Sequence, residues 1–414
     1  MTRILVLGAG MVGVSAALEL QSRGHEVVLA DRRGPGEETS YGNAGMIQAE
    51  ATEPYNIPQS PRVLLSYALG RSNDVVFDPT VLPRIAPILW TYFRNSAPGR
   101  HLAISGIYSQ MVRTATADHA PFIAASGQEA LIHKTGYVHA YRNPAGLAAA
   151  IGEAGRLARL YGVQSEIMDG VALRASEPAL KTTLAGGIAW PEAWACTDPG
   201  ALTAAYARLF AQRGGEVVRA DASGLQPHGA GWRINGVGGP CDAEAVVIAL
   251  GPWAPAVLAR LGYRVRMLLK RGYHGHFASP MRLNRPLMDA ESGVVLSPMS
   301  RGLRLATGAA LVAPDAPARP VQLDRGARAV ADMVDLGPRI QEEQWFGHRP
   351  CLPDMLPLIG AAPRHKGLWF DFGHGHQGFT LGPTSARLLA DAMDGRQNPL
   401  LSALSPATRP QSLV

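Results

Sequence analysis

The first 32 residues contain two apolar runs separated by a stretch with helical spacing. Residues 4–7 form a short apolar run, and residues 26–30 form a second one that ends at Asp31. Between them, residues 14–22 carry Ala and Leu on one side of a helix. Two short apolar runs joined in this way predict a strand, a helix and a second, parallel strand. The turn at residues 8–13 then lies at the carboxyl end of the first strand.

That turn reads Gly-Ala-Gly-Met-Val-Gly, which is the spacing of a dinucleotide-binding fingerprint. Gly8 permits a tight turn, Gly10 lets the backbone approach a pyrophosphate, and Gly13 lets the helix pack closely on the strand. Phosphates would meet free N–H groups at the helix N-terminus, where the helix dipole favours negative charge. Asp31 is placed to accept a hydrogen bond from a ribose hydroxyl. The pattern therefore predicts a bound dinucleotide, without saying which one.

A secretory signal peptide is the alternative for this basic and then apolar start. Three glycines and Glu19 interrupt the apolar run, and no spacer leads to a cleavage site. No apolar stretch reaches the roughly 20 residues that a membrane span needs. The cysteines, Cys196, Cys241 and Cys351, are widely spaced, form no metal-binding pattern and favour a reducing compartment. We therefore expect a cytoplasmic protein, with peripheral attachment to the inner face of the membrane left open.

The pattern changes along the rest of the chain. Residues 243–250 are apolar almost throughout, as a parallel strand buried on both faces requires. Between residues 264 and 349 the apolar positions alternate between short turns, which predicts an antiparallel sheet. Candidate strands are 131–141, 186–190, 265–270, 272–278, 293–298 and 302–308. Candidate helices are 81–94, 104–126, 144–161, 201–213, 323–333 and 381–393. The sequence therefore predicts an α/β protein with a parallel sheet and a second, antiparallel sheet.

Composition adds limits on partners. The 414 residues suffice for two domains, and 47% hydrophobic with 17% charged residues is ordinary for a globular protein. The net charge is +6, and of the 39 basic residues only 4 are lysines. The arginines are scattered, with no basic run longer than Arg32-Arg33, so we expect no nucleic-acid partner. We also expect no metal site, because no carboxylate or cysteine cluster joins His374 and His376 in the sequence.

Two further segments carry a family resemblance. The loop after Asp31 reads RRGPGEETSYGNAG and offers many backbone donors. Near the other end, residues 347–360 read GHRPCLPDMLPLIG, followed by an apolar strand, GHGHQG and a terminal helix. Together with the first turn, these motifs resemble the FAD-dependent D-amino acid dehydrogenases and oxidases. They are most similar to the subgroup that acts on D-amino acids and cis-4-hydroxy-D-proline.

The resemblance implies a Rossmann-like FAD-binding domain and a discontinuous substrate-binding domain. The expected FAD-binding domain comprises residues 1–55, 145–260 and 350–414, and the substrate-binding domain comprises 56–144 and 261–349. The residues expected to contact FAD are Gly8, Gly10, Met11, Val12, Gly13, Asp31, Arg32, Arg33, Ser40, Asn43, Ala44, Gly45, Met46, Gly251, Trp253, Gly375, His376, Gln377, Gly378 and Thr380.

Three residues are expected in the reaction itself. Arg349 matches the family arginine that holds the substrate carboxylate, for which a guanidinium offers a bidentate, charged contact. Tyr273 is placed to donate to the same carboxylate, with an ordinary core tyrosine as a nearly equal alternative. His376 or its neighbour Gln377 is expected to reach the substrate side. No Asp or Glu stands out as the base for the substrate amine, so solvent or a histidine is left for that role.

The implied reaction is oxidation of a Cα–N bond by hydride transfer to flavin, which gives an imine. The partners implied are an amino acid and an electron acceptor, a quinone or the respiratory chain. A glycine- or sarcosine-type oxidase that uses oxygen is the nearest alternative. A non-catalytic flavin-binding subunit is a second alternative, which the intact Arg349 argues against. A dehydrogenase with a nicotinamide cofactor is a third, which the C-terminal motifs argue against.

Overall fold

The computed structural model describes residues 1–409 and 412–413. Its α-helices are α1 Met11–Ser22, α2 Pro61–Ala68, α3 Leu82–Asn95, α4 Pro98–Val112, α5 Ala115–Ala125, α6 Pro144–Tyr161, α7 Gly170–Ser176, α8 Pro199–Gln212, α9 Ala254–Arg260, α10 Val321–Ala329, α11 Gly378–Met393 and α12 Pro399–Leu404. Short 3₁₀ turns occupy Pro79–Val81, Glu129–Leu131, Ala222–Gly224, Gly251–Trp253 and Pro406–Thr408.

The strands alternate with these helices along the whole chain. They are β1 Arg3–Leu7, β2 Glu26–Asp31, β3 Met46–Ile47, β4 Val75–Phe77, β5 Ile132–His133, β6 Tyr137–Tyr141, β7 Glu166–Asp169, β8 Gly186–Trp190, β9 Trp194–Cys196, β10 Glu216–Arg219, β11 Gln226–His228, β12 Gly231–Gly236, β13 Gly239–Ala243, β14 Ala245–Ile248, β15 Leu268–Phe277, β16 Leu287–Asp289, β17 Val294–Met299, β18 Gly302–Ala306, β19 Ala309–Leu311, β20 Phe346–Cys351, β21 Leu358–Ala361 and β22 Leu368–Phe372.

The first layer is a sheet of six strands within the described residues, in the order β10-β2-β1-β14-β22-β21. All its pairings are parallel except that of β21 with β22. The strand β1 is buried on both faces: Ile4 and Val6 belong to one apolar core, and Leu5 and Leu7 belong to the other. Helices α1, α8 and α11 cover one face. The predicted strand, turn, helix and parallel strand are confirmed.

The second layer is a mainly antiparallel sheet. In the part of the chain that the structure describes, its order is β4-β19-β15-β18-β17-β16-β6-β8-β7, with β20 also paired to β15. The strand β15 runs without a break through the two predicted strands 265–270 and 272–278. Gly272 does not interrupt it, because the position is filled from the neighbouring strand by the guanidinium of Arg349. The predicted α/β class with two kinds of sheet is confirmed.

Two predicted elements are wrong in their extent. The predicted strand 131–141 is β5 and β6, which belong to different sheets. The predicted helix 104–126 is α4 and α5. The two helices separate at Thr114. The single hydroxyl hydrogen of Thr114 is shared between the carbonyl of Met111 and the carboxylate of Asp118. Such side-chain bonds compete with the backbone hydrogen bonds of a continuous helix.

The division into domains stays a prediction, and the sheets refine it. Strands β7 and β8 lie in the predicted FAD-binding segment 145–260, but they pair within the antiparallel sheet. Strand β8 pairs with β6 along the whole length of both strands, so it belongs to the antiparallel sheet. We therefore propose a boundary near residue 196 in place of 145. None of the helices in the described ranges is both long enough and apolar enough to cross a membrane.

Candidate active site

A cavity of about 820 Å³ lies where the two sheets face each other. One wall is formed at the carboxyl ends of the parallel strands, by residues such as Gly8, Asp31 and Leu250. Ligands bind at this edge in open α/β sheets. The antiparallel sheet supplies the other wall, which includes Gly272 and Arg349. The cavity therefore joins the first and the last of the sequence motifs.

The turn between β1 and α1 is as tight as its glycines predict. Gly8 has a φ of +107°, and a Cβ there would lie 2.5 Å from the carbonyl oxygen of Ala249. A Cβ on Gly13 would lie 1.7 Å from the carbonyl oxygen of Gly8. Gly10, Met11 and Val12 line the cavity. Their backbone therefore approaches anything that occupies it.

Helix α1 points its N-terminus into this cavity. Its N-cap residue, Gly10, has no side chain that could cap it. The N–H of Met11 donates instead to the hydroxyl of Ser40 at 2.9 Å, and Ser40 also lines the cavity. A helix N-terminus beside a hydroxyl is a suitable anion site. These residues fit a diphosphate.

Asp31, at the end of β2, already accepts hydrogen bonds from the protein backbone, which the sequence does not indicate. The carboxylate of Asp31 accepts hydrogen bonds from the N–H of Ala9 at 2.6 Å and from the N–H of Arg33 at 2.9 Å. It still lines the cavity, and each oxygen keeps a second lone pair for a ribose hydroxyl. The guanidinium of Arg32 lies 4.5 Å from the ring centre of Trp253, and both side chains line the cavity together with Gly251.

Arg33 is one of the predicted FAD contacts that lie outside the cavity lining, as Gly13 also does. The side chain of Arg33 is exposed and pairs with Glu38. The segment Ala220 to Ser223, after β10, lines the cavity and was not predicted. Its one sequence signal was its place directly after a strand of the parallel sheet.

The predicted loop at residues 40–46 is held by its own asparagine. The side-chain oxygen of Asn43 accepts from the N–H groups of Gly45 and Met46, at 2.8 and 3.3 Å. Asn43, Ala44 and Met46 line the cavity, whereas Gly45 packs against the carbonyl of Cys196. The loop therefore exposes Asn43, Ala44 and Met46 to the cavity, and its contact with FAD stays a prediction.

The turn before α11 has two kinds of residue. Gly375, His376 and Gly378 line the cavity. Gln377 and Thr380 are buried behind them: Gln377 donates to the side-chain oxygen of Gln48 at 2.7 Å, and the hydroxyl of Thr380 accepts from the N–H of Gln48 at 3.3 Å. Their role in the structure is therefore to hold residue 48, which itself lines the cavity.

Arg349 lies flat on the antiparallel sheet. A Cβ on Gly272 would lie 2.6 Å from its guanidinium, so only glycine leaves room there. The guanidinium donates to the carbonyls of Gly308 at 2.7 Å and Thr307 at 2.9 Å. No carboxylate of the described residues forms an ion pair with it, and burial lowers its pKa. Arg349 is thus oriented by neutral carbonyls and keeps its charge available for an anion in the cavity.

The structure does not bring the hydroxyl of Tyr273 to Arg349. That hydroxyl accepts from the N–H of Arg319 at 3.2 Å and from Arg271 at 3.3 Å. Successive side chains of a strand point to opposite faces, and Gly272 is the residue that faces Arg349. The predicted contact between Tyr273 and the same carboxylate therefore does not fit this geometry.

Tyr55 lines the same cavity as Arg349. Its ring lies 4.4 Å from the ring of His376, which also lines the cavity. Loss of contact between its hydroxyl and water raises the pKa of Tyr55, although the residue as a whole is 54% exposed, and the positive charge of Arg349 acts in the opposite direction. The pKa of His376 is held well below 6.5 by burial and by Arg349 and Lys270, so its imidazole is neutral. The sequence carried no signal for Tyr55, which lies in the proline-rich segment after the last recognised loop motif.

A cluster of metal-ligating groups lies next to this site. The donor atoms of His274, His276 and Glu342 lie within 4.8 Å of one another. His276 bonds to Glu342 at 2.7 Å through one ring nitrogen and accepts from Arg304 at 3.0 Å through the other. Arg304 also places a positive charge beside the cluster. These contacts occupy the ligand atoms of His276, so the geometry favours a hydrogen-bond network over a cation site.

Comparison with known proteins gives consistent matches. The family model described as FAD dependent oxidoreductase matches residues 3–392. The chain is 31% identical over 425 residues to the D-amino acid dehydrogenase of Cereibacter sphaeroides strain ATCC 17029, covering 97% of this chain and 94% of that protein. It is 28% identical over 405 residues to the D-amino-acid oxidase of Bradyrhizobium diazoefficiens, covering 95% of each. Glycine oxidase from Geobacillus kaustophilus has a similar fold, with a TM-score of 0.72, 22% identity and 98% of each chain covered.

Proposed function

Because the chain belongs to the family of FAD-dependent oxidoreductases, we propose that it oxidises the Cα–N bond of a D-amino acid or a D-proline-like imino acid. An amino acid gives an imine, which water hydrolyses to a keto acid. A proline-like imino acid gives a cyclic imine. The observation that carries the proposal is Arg349, a partly buried guanidinium that lines the cavity and forms no ion pair with a carboxylate of the described residues. An amino acid supplies the missing carboxylate.

FAD is the cofactor of the enzyme, and the cavity suits its parts. The N-terminus of α1 and Ser40 would hold the diphosphate, and Asp31 would accept from a ribose hydroxyl. The loop at Asn43 to Met46 and the turn at Gly375 to Gly378 would contact the flavin ring system. When bound, FAD supplies the two-electron acceptor that amino acid oxidation needs. The protein supplies position and charge.

Substrate orientation is assigned to Arg349. The carbonyls of Thr307 and Gly308 fix its guanidinium, and its remaining N–H groups bind a carboxylate with a defined direction as well as charge. We assign the second contact with this carboxylate to the hydroxyl of Tyr55. His376 is neutral, so in this proposal it positions Tyr55 through ring contact and donates no charge of its own.

We further propose peripheral attachment to an anionic membrane, with a quinone as electron acceptor. Helices α2, α3 and α4 and the residue that follows α2 expose large apolar side chains, namely Leu65, Leu69, Trp90 and Leu102. Exposed arginines lie before and between them in the sequence, namely Arg62, Arg71, Arg84, Arg94 and Arg100. Apolar side chains with interspersed cations are typical of helices that bind membrane surfaces. We expect the protein to sediment with anionic vesicles and to stay in the supernatant with neutral ones. Recovery of equal amounts of protein in the supernatant with both kinds of vesicle would contradict the membrane attachment.

A panel of amino acids tests the main proposal. The purified holoenzyme is mixed without oxygen with D- and L-amino acids, D-proline, cis-4-hydroxy-D-proline, glycine and sarcosine, and bleaching of the flavin absorbance is followed. We expect bleaching by D-amino or D-imino acids, and faster reoxidation by a soluble quinone than by oxygen. Bleaching only by glycine or sarcosine with rapid peroxide formation would favour the oxidase alternative. No bleaching by any compound would favour a non-catalytic subunit.

A further inference from the structure

A second cation lies beside Arg349 in the cavity. Lys270 on β15 is the direct cross-strand partner of Arg349 on β20, and both side chains line the same cavity. Directly opposed residues in an antiparallel pair have Cβ atoms roughly 5 Å apart. The two side chains therefore start from neighbouring points on one face of the sheet, and the positive charge of Arg349 acts unfavourably on the ammonium of Lys270. An anion between or beside the two cations would relieve this repulsion.

The surroundings of Lys270 supply no such anion. Its ammonium donates to the hydroxyl of Tyr92 at 3.2 Å and lies 4.3 Å from the ring centre of the same residue. The other ionisable groups that act on it are Arg349 and the thiol of Cys351, both from β20. His376 lies close enough to respond to both cations and is neutral. No carboxylate within residues 1–409 and 412–413 forms an ion pair with Lys270, whereas Arg349 at least has two fixed carbonyls.

Lys270 and Arg349 are both partly buried in the cavity wall, and a charge that loses contact with water without gaining a partner is costly. Here the substrate carboxylate assigned to Arg349 neutralises only one of the two cations. We propose that Lys270 binds a second anionic group of the substrate, so that the enzyme prefers amino or imino acids with two carboxylates. This inference rests on the proposed function, since it extends the site of Arg349 from one anchor to two.

The alternative role for Lys270 is a general base that takes a proton from the substrate amine. Burial lowers the pKa of Lys270 below 10.5, and Arg349 lowers it further, which suits either role. The contacts with Tyr92 favour an anchor, because a ring face and a hydroxyl acceptor both stabilise the ammonium form. The two roles predict different effects of removing Lys270. Loss of an anchor weakens the binding of ligands with a second carboxylate, whereas loss of a base slows the turnover of every substrate.

The test uses the FAD-loaded enzyme and acids that cannot be oxidised. Glutarate and butyrate have similar length, but only glutarate carries a second carboxylate. Their dissociation constants are measured from the perturbation of the flavin spectrum and, independently, from the shift in thermal unfolding. We expect Lys270→Met to weaken glutarate binding roughly 10- to 100-fold, the loss expected for a charged hydrogen bond, and to change butyrate binding less than about twofold. Lys270→Arg should restore most of the glutarate affinity.

A matched control is available in Lys134. Its ammonium lies 4.3 Å from the ring centre of Trp194, as that of Lys270 does from Tyr92, but it is exposed and outside the cavity. Lys134→Met should leave both dissociation constants unchanged. Equal affinity of the unmodified enzyme for glutarate and butyrate, or equal losses for both acids in Lys270→Met, would overturn the proposal.

Turnover separates this inference from the proposed function. An enzyme that oxidises neutral D-amino acids but shows no dependence of glutarate binding on Lys270 retains the function and loses the second anchor. An enzyme that binds glutarate through Lys270 but oxidises no amino acid loses the proposed function alone. A loss of kcat for neutral D-amino acids in Lys270→Met, with a changed pH profile and unchanged ligand preference, would assign the base role instead.

Discussion

The turn between β1 and α1 and the strand pair β15–β20 contribute to one cavity, but they are built in different ways. The turn is local: Gly8 and Gly13 contact each other within six residues, and the strand before them and the helix after them fix the rest. The strand pair is assembled from distant parts, since Lys270 and Arg349 meet only through the register of two strands. A substitution in the turn therefore forces the backbone to move. A substitution in the strand pair removes one side chain from the cavity and leaves the backbone in place.

The largest effect is expected at the turn. In Gly13→Ala the added Cβ would lie 1.7 Å from the carbonyl oxygen of Gly8. Backbone must move, and we expect loss of bound FAD together with a destabilisation of about 3 kcal/mol or more. The ratio of flavin to protein absorbance and the midpoint of thermal unfolding measure both effects. The control is Gly152→Ala in α6, where a Cβ meets no atom within 4 Å and about 1 kcal/mol of stability should be gained.

At the strand pair, the largest expected effect is on substrate binding alone. Arg349→Ala removes a charged, bidentate contact, worth roughly 2–4 kcal/mol, and should raise KM several tens- to several hundred-fold. The FAD content should stay unchanged, because the turn and its helix are untouched. Arg328→Ala, at an exposed position of α10, is the control. An unchanged KM in Arg349→Ala would remove this residue from the site.

A smaller effect should separate the two tyrosines. Tyr55→Phe removes one hydroxyl from the cavity, and we expect roughly a tenfold rise in KM, as for a hydrogen bond to a charged group. Tyr273→Phe removes the acceptor of Arg271 and Arg319, so it should cost about 1 kcal/mol of stability and leave KM unchanged. Steady-state kinetics and thermal unfolding of both variants show which tyrosine affects KM and which affects stability. The reverse pattern would restore Tyr273 as the carboxylate donor.

The smallest expected effect is a pH dependence of glutarate binding. In the free site the pKa of Lys270 lies below 10.5, because it is buried and faces Arg349. A bound anion favours the ammonium and raises this pKa, so above the free-site value binding requires uptake of a proton. The dissociation constant should therefore be flat at lower pH and then rise with pH by at most tenfold per unit. Titration of the unmodified enzyme and of Lys270→Met measures it, and the variant should show no such rise.

The sequence by itself determined the parallel unit, the tight glycine turn after β1 and the presence of Arg349 in the C-terminal motif. These signals are local: spacing of glycines, an apolar run, or a motif of consecutive residues, and each keeps its meaning wherever the chain places it. The tertiary structure decided which side chains surround Arg349. Both Tyr273 and Lys270 line the cavity, but the hydroxyl of Tyr273 bonds to Arg271 and Arg319, whereas Lys270 lies directly opposite Arg349 in the strand pair. Strand pairing decides this, because it sets which positions share a face.

Burial decided the remaining differences. Gln377 and Thr380 look like cofactor contacts in the motif, but packing of α11 against the loop at Gln48 places them behind the wall. Tyr55 reaches the site from a segment with no motif, and its ring makes a tilted contact with the ring of His376. Such contacts join residues more than 300 positions apart, so no local pattern in the sequence specifies them.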